Sequence, residues 1–149
     1  MIIKGIDNQT VELKITNYQY PTSLDRDWDG NWLNIYLKVE SKIGNWQTVD
    51  PSLLTWEVQT LIDWFNELSA NKKPEYLEQV FIEPNISFHL LNSCSDLEKQ
   101  IKIRFDLESR PKNADDEIEY YVILIANNAE LKKLAENLEN ELKIYPERK

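Results

Sequence analysis

The chain has 149 residues, 42% of them hydrophobic and 29% charged, which excludes an intrinsically disordered protein and is enough to bury a core without disulfides or metals. Its 17 basic and 26 acidic residues give a formal net charge of −9, which argues against direct nucleic-acid binding because phosphate backbones are repelled. The same charge suits a basic protein partner, although an acidic surface also serves solubility alone.

The first third of the chain predicts antiparallel strands. Apolar and polar residues alternate over residues 11–15 and again over 33–39, with the period of two that is typical of strands. Between them lies a polar, acidic loop at residues 25–31. Residues 41–45 have turn composition and predict a hairpin that leads into a short strand at 46–49.

A mid-chain helix is predicted to begin at Asp50-Pro51, because Asp is a good N-cap and Pro is favoured at the first helical position. At 100° per residue the apolar side chains that follow form one stripe, made of Leu54, Val58, Leu61, Phe65 and Leu68. The stripe ends at residues 71–74. Trp56 does not fit this stripe, because it falls on the face that is predicted to meet water.

The second half of the chain predicts four more strands and a terminal helix. Strand patterns occupy residues 76–82, 86–90 and 101–107. Residues 118–126 are apolar at nearly every position, which predicts a central strand covered on both faces. Asn127 and Glu130 have the spacing of a capping box and predict the start of the last helix, which Tyr145-Pro146 closes.

The predicted fold class is α+β, an antiparallel sheet or small sandwich of about seven strands with one mid-chain helix and one C-terminal helix. Short polar connections favour hairpins over crossover helices. No segment has the composition of a linker and none repeats at a fixed period, so residues 1–149 are predicted to form a single domain.

The sequence predicts a cytoplasmic protein. The amino terminus has no basic segment followed by a long apolar one, so no signal peptide is expected. No apolar run approaches the roughly 18 residues that a membrane span needs. Cys94 is the only cysteine; it has no intramolecular partner and fits a reducing compartment.

Side chains and motifs that commonly support catalysis or metal binding are scarce. His89 is the only histidine, whereas zinc takes three or four protein ligands, and the spacing of His89 and Cys94 does not predict a dyad. Asp25 to Gly30 resemble the first half of a calcium loop, but Tyr36 stands where the bidentate glutamate is required. Three glycines are too few for typical phosphate-binding loops. We expect no enzyme activity, no metal and no cofactor.

The acidic loop carries the best candidates for binding a partner. It combines acids with two tryptophans, Trp28 and Trp32, and tryptophan is strongly enriched at binding hot spots. The residues predicted to bind a partner are Asp25, Asp27, Trp28, Asp29 and Trp56. In the alternative interpretation both loop tryptophans turn inward and anchor the loop. Trp32, at the start of a strong strand, is predicted to be mostly buried and to anchor the acidic loop. A second functional alternative is a small-molecule or carbohydrate-binding module that uses this loop.

Four segments of the chain together resemble the WapI-family immunity proteins of bacteria. They are residues 29–35 (DGNWLNI), 50–58 (DPSLLTWEV), 81–88 (FIEPNISF) and 105–111 (FDLESRP). The resemblance extends from about residue 11 through the last helix. It implies a small cytoplasmic antitoxin that is encoded beside a large secreted toxin of the contact-dependent kind.

The resemblance also implies how such a protein acts. The immunity protein would bind the C-terminal toxin domain and block it without performing chemistry. In the pair that gives the family its name, that domain is a nuclease acting on tRNA. Domains that cut RNA are generally basic, so the acidic charge of this chain is compatible with such a partner. The resemblance assigns no binding residues.

Overall fold

The alternating segments form two four-stranded antiparallel sheets in the computed structural model, which describes residues 1–24 and 26–149. The first sheet has the order β1-β2-β3-β4, with β1 at Ile2–Lys4, β2 at Thr10–Tyr18, β3 at Trp32–Ser41 and β4 at Gly44–Leu54. The second has the order β5-β6-β7-β8, with β5 at Glu78–Gln79, β6 at Ile86–Leu90, β7 at Glu98–Phe105 and β8 at Tyr120–Asn127.

Helices complete the predicted α+β fold, which is confirmed. The single turn α1 spans Trp28–Asn31, the mid-chain helix α2 spans Thr55–Ser69, and the C-terminal helix α3 spans Asn128–Ile144. The two long helices pack against each other. No helix among the described residues has both the length and the apolar character to cross a membrane.

The core is one continuous cluster of buried side chains from both sheets and both long helices. Trp46 of β4 joins the two sheets, because its ring packs edge to face on Phe105 of β7 and Tyr120 of β8. Its indole N–H donates to the carbonyl of Ser109 at 2.8 Å. The apolar face predicted for α2 also belongs to this cluster, from Val58 to Leu68.

The predicted start of α2 is wrong. Asp50 and Pro51 belong to β4, and the helix begins at Thr55. Continued pairing with the long neighbour β3, which includes Trp32 opposite Leu54, outweighs the local helix-start signal. Pro51 is tolerated in the strand because the register shifts there, and proline in sheets is confined to bulges and edges.

The prediction for residues 118–126 is also wrong in one respect. They include most of β8, but β8 is at an edge of its sheet, where it pairs with β7 and carries one isolated bridge from Leu124 to Gly5. Tyr121 and Ile125 are exposed, while the alternate residues are buried. A nearly continuous apolar run does not reveal whether both faces of a strand are covered, because aromatic and β-branched residues also suit a half-buried strand.

The capping box of α3 is confirmed. The Oδ1 atom of Asn127 accepts from the backbone N–H of Glu130 at 2.9 Å, and the Glu130 carboxylate accepts from the backbone N–H of Asn127 at 2.8 Å. Reciprocal bonds of this kind satisfy two groups that a helix start leaves open. In contrast, the predicted strand at residues 76–82 forms a ladder only at Glu78–Gln79.

Candidate partner-binding site

Two of the residues predicted to bind a partner, Trp28 and Trp56, are in contact. Trp28 begins α1 and Trp56 lies in the first turn of α2. Their ring centroids are 5.3 Å apart and the ring planes are 89° to each other, an edge-to-face geometry that aromatic pairs favour. The side chain of Trp28 is 53% exposed, while Trp56 is partly buried. The contact therefore presents one indole to solvent and supports it with the other.

Asn31 holds the acidic loop in this position. Its side chain is completely buried, and its amide Nδ2 donates to the carbonyl of Asp27 at 2.6 Å and to that of Arg26 at 3.2 Å. Its Oδ1 accepts from the hydroxyl of Thr55 at 3.0 Å. Because Thr55 is the first residue of α2, this amide fixes the loop with Trp28 beside the helix turn that carries Trp56.

The C-terminal tail closes the same network. The backbone N–H of Arg148 donates to Asn31 Oδ1 at 2.8 Å. Its guanidinium donates to the carbonyls of Tyr20, Pro21 and Gly30 at 3.0, 2.8 and 3.2 Å. The same group lies 3.7 Å from the centre of the Tyr18 ring, which is a cation–π contact. A single arginine therefore links residues 20 and 21 to Gly30 in α1.

Tyr18 is shielded by this packing. Burial raises the pKa of the Tyr18 hydroxyl above its ordinary value, and the neighbouring Arg148 opposes that rise. The hydroxyl donates to the carbonyl of Pro146 at 2.5 Å, and the ring meets Tyr145 edge to face. The sequence did not indicate Asn31, Tyr18 or Arg148, because each acts through a distant part of the chain.

Two acids of the loop adjoin the exposed indole in the chain. Asp27 and Asp29 flank Trp28 in the chain, and both are exposed. Asp25 lies outside the described residues. The structure therefore brings together Asp27, Trp28, Asp29 and Trp56 of the five predicted residues, and places them at the junction of α1 and α2.

A second acidic feature lies beside the first residue of β3. The sequence does not predict it. Gln19, Trp32 and Pro51 line a pocket of about 330 Å³ together with three acids, Asp50, Glu83 and Glu108. We call it the acidic pocket. Trp32 is partly buried and forms part of its wall instead of facing the core fully. Asn31, rather than Trp32, makes the bonds that hold the acidic loop.

The carboxylates of the acidic pocket repel one another. Burial raises the pKa of Asp50 above its ordinary value, the charges of Glu108 and Glu83 raise it further, and a hydrogen bond from Asn85 lowers it. That bond joins Asn85 Nδ2 to Asp50 Oδ2 at 3.0 Å. Within residues 1–24 and 26–149, no basic side chain forms a salt bridge with any of the three acids.

Glu57 connects the pocket to the tryptophan pair. It follows Trp56 in α2 and is almost fully buried. Its carboxylate accepts from the backbone N–H of Leu54 at 2.9 Å and from that of Ile82 at 2.8 Å. Burial raises the pKa of Glu57, and these two hydrogen bonds oppose the rise. The segment that carries Glu83 is thereby fixed to the first turn of α2.

Among the described residues, no group of three or more His, Cys, Asp and Glu side chains is arranged to hold a metal ion. His89 lies against the carboxylate of Glu78 on the neighbouring strand, and Cys94 is partly buried. The first acid of the calcium-like turn, Asp25, lies outside the described residues. The expectation that no metal or cofactor binds stays a prediction.

These features define an α+β protein with an acidic surface that carries tryptophan. The chain belongs to the WapI-like immunity protein family, whose family model matches residues 1–146. The resemblance found in the sequence is thus confirmed. Neither a curated protein nor a solved structure matches the chain. Membership of this family indicates a toxin-inhibiting role, with a toxin protein as the partner.

The four segments that carried the resemblance are linked to one another by hydrogen bonds. Residues 29–35 and 50–58 meet through the bond between Asn31 and Thr55. Residues 81–88 join them through the bond from Asn85 to Asp50. Residues 105–111 complete the group, because the backbone N–H of Asp106 donates to the carbonyl of Asn85 at 2.8 Å. Five of the six residues that line the acidic pocket, all but Gln19, belong to these segments. Asn31 and Thr55, which hold the loop beside Trp56, belong to them as well.

Proposed function

We propose that this protein is a cytoplasmic immunity protein that binds the C-terminal toxin domain of a contact-dependent toxin and inhibits it without catalysis. The observation that carries the proposal is the contact between Trp28 and Trp56, with the exposed acids Asp27 and Asp29 beside it. An exposed aromatic on a fixed backbone is the usual centre of a binding hot spot. Membership of an immunity protein family supports a toxin as the partner.

The partner in this proposal is a basic domain, and a nuclease fits best. A domain that cuts nucleic acid needs positive charge to bind phosphates. A protein of net charge −9 complements such a surface and accelerates the encounter. Asp27 and Asp29 would then pair with lysines or arginines around the nuclease site while Trp28 enters an apolar recess.

The alternative of a carbohydrate-binding module uses the same tryptophans. Family membership favours the toxin inhibitor, and fluorescence separates the two functions, because Trp28 is exposed and would report a sugar stacked on it. We expect no change in emission with a panel of monosaccharides and oligosaccharides. We expect a clear change on addition of the toxin domain.

Growth of bacteria tests the proposed function. The C-terminal domain of the protein encoded immediately upstream is expressed alone, with this chain, and with a Trp28→Ala, Trp56→Ala double variant. We expect the domain to stop growth, the wild-type chain to restore it, and the variant to restore it poorly. A Trp28→Phe, Trp56→Phe variant, which keeps an aromatic ring at each position, is the control. Lethality that the wild-type chain leaves unchanged would overturn the proposal.

A further inference from the structure

A row of large apolar side chains is exposed between α2 and β6. Tyr76, Leu77, Val80 and Ile82 are 64%, 49%, 55% and 52% exposed, and we call them the apolar stripe. Burial alternates along the second half of this segment, where Gln79 and Phe81 face inward. Scattered apolar residues are normal on a protein surface, but a contiguous group marks an interaction site.

The backbone of the apolar stripe is fixed by the rest of the fold. The indole N–H of Trp64 donates to the carbonyl of Tyr76 at 3.0 Å, and the backbone N–H of Leu90 donates to that of Leu77 at 2.9 Å. At the other end Glu57 accepts from the N–H of Ile82. A surface that is already ordered loses little conformational entropy when a partner covers it.

Acids accompany the apolar stripe. Glu75, Glu78 and Glu83 lie within or next to the segment and are exposed. Glu78 contacts His89, and Glu83 also lines the acidic pocket. Three acids therefore accompany the apolar side chains, while Lys72 and Lys73 precede Glu75 in the chain. The acids are matched by a partner whose apolar patch is ringed by lysine or arginine.

The apolar stripe is also joined to the tryptophan pair. Ile82, at one end of the stripe, is bonded to Glu57, which directly follows Trp56 in α2. A partner seated on Trp28 and Trp56 is therefore close to Ile82 and Glu83. We infer that the apolar stripe is a second contact region for the basic toxin domain, and this inference rests on the proposed function.

A second copy of this chain is a poor occupant. In a two-fold dimer the same patch meets itself, so Glu75, Glu78 and Glu83 of one copy would face the same acids of the other. Each copy also carries a net charge of −9, which opposes association. A basic toxin domain would be attracted by these acids and by the net negative charge. The charge pattern therefore favours a basic partner over a second copy of this chain.

Kinetic binding measurements test the inference. The purified C-terminal domain of the upstream protein is immobilised, and the wild-type chain is compared with Val80→Ser, Ile82→Ser. We expect the double variant to dissociate about 10- to 100-fold faster with little change in the association rate, because loss of interface contacts acts mainly on dissociation. The matched control is Val49→Ser, Ile43→Ser, since Val49 is 60% exposed and lies in the other sheet. The control should bind as wild type does.

The outcomes separate the two proposals. If the wild-type chain binds the toxin domain and the Val80→Ser, Ile82→Ser variant dissociates at the same rate, the apolar stripe is not a contact region. The proposed function would still stand. Failure of the wild-type chain to bind the toxin domain would overturn the proposed function itself. Sedimentation equilibrium adds a third arm: a wild-type dimer that the stripe variant converts to monomer would assign the stripe to a second copy. Should the double variant unfold, the single substitution Val80→Ser is measured in its place.

Discussion

The exposed indole of Trp28 packs against the ring of Trp56, and the two ring centroids are 5.3 Å apart. One residue comes from a four-residue turn and the other from the first turn of a long helix. A short turn alone would not hold a large side chain at a defined position. Contact with Trp56 and the bonds of Asn31 supply that definition.

We predict that Trp28→Ala separates binding from stability. Because the indole is half exposed, its loss should lower the thermal midpoint only slightly. Affinity for the toxin domain should fall by about 2 kcal/mol or more, the range of a binding hot spot. Calorimetric titration and thermal melting measure the two effects on the same sample. Unchanged affinity would remove Trp28 from the interface.

The acidic loop should act on the rate of association. Replacing Asp25, Asp27 and Asp29 by Asn removes charge from the loop, in which Asp27 and Asp29 are exposed. We predict a slower association rate, a weaker dependence of that rate on salt, and little change in dissociation, because exposed charges steer encounter.

Stopped-flow mixing at two ionic strengths measures this effect. A second variant, Glu117→Gln, Glu136→Gln, Glu139→Gln, changes net charge equally at exposed sites elsewhere and is the control. Equal slowing by both triple variants would mean that total charge, and not the loop, controls association. An association rate indifferent to salt and to both variants would exclude electrostatic steering.

Much of the fold follows from local sequence patterns. The alternation at residues 11–15 and 33–39 gives β2 and β3, and the Asn127–Glu130 pair gives the start of α3. The start of α2 was misplaced because pairing between β3 and β4 overrides the Asp-Pro signal. Period and capping are encoded within a few residues, whereas the length of a strand depends on its neighbour.

The residues of the candidate site also separate into those that the local sequence predicts and those that depend on distant parts of the chain. Trp28 and the loop acids were accessible from composition, and Trp56 from its misfit on the helical wheel. Asn31 and Arg148 were not, since they act only once the C-terminal tail lies against the acidic loop. The acidic pocket combines the first sheet with the segments before β6 and after β7, so it exists only in the folded chain.

Asn31→Ala should disturb both stability and binding. The substitution leaves the hydroxyl of Thr55 and the backbone N–H of Arg148 without their acceptor, and removes a donor from two loop carbonyls. Each buried group left unpaired costs about 1–3 kcal/mol. We predict a clear fall in the free energy of unfolding, measured by urea titration. Asn17→Ala, at an exposed asparagine, is the control and should change little.

The same variant tests how the tryptophan pair is positioned. If Asn31 holds Trp28 against Trp56, then Asn31→Ala should also alter tryptophan fluorescence and weaken toxin binding while the protein is still folded. Retained affinity at a temperature well below the thermal midpoint would show that the loop reaches its position without this amide. In that case the bond from Arg148 to Gly30 and the contact between the two indoles would be enough to hold the loop.

The contribution of Asp50 to the free energy of unfolding should be more favourable in mild acid than at neutral pH. Its pKa is raised in the folded protein by burial and by the neighbouring charges of Glu108 and Glu83. A carboxyl whose pKa is higher folded than unfolded binds more protons in the folded state. Stability therefore falls as pH rises from the ordinary aspartate value, about 3.9, through the folded pKa, and the penalty is fully present above it. Glu57, whose pKa is also raised, contributes in the same direction.

Asp50→Asn isolates this contribution. Asparagine keeps an oxygen that accepts from Asn85 Nδ2 but carries no charge, so repulsion from Glu83 and Glu108 disappears. We predict a higher thermal midpoint than wild type at pH 7, and a difference that shrinks as pH falls through the folded pKa of Asp50. The control is Asp63→Asn, at an exposed acid on α2. Thermal melts between pH 4 and pH 7 decide the matter (a range chosen to start near ordinary carboxyl pKa values, roughly 4). If the variant is no more stable than wild type at pH 7, solvent already screens the repulsion among the carboxylates of the acidic pocket.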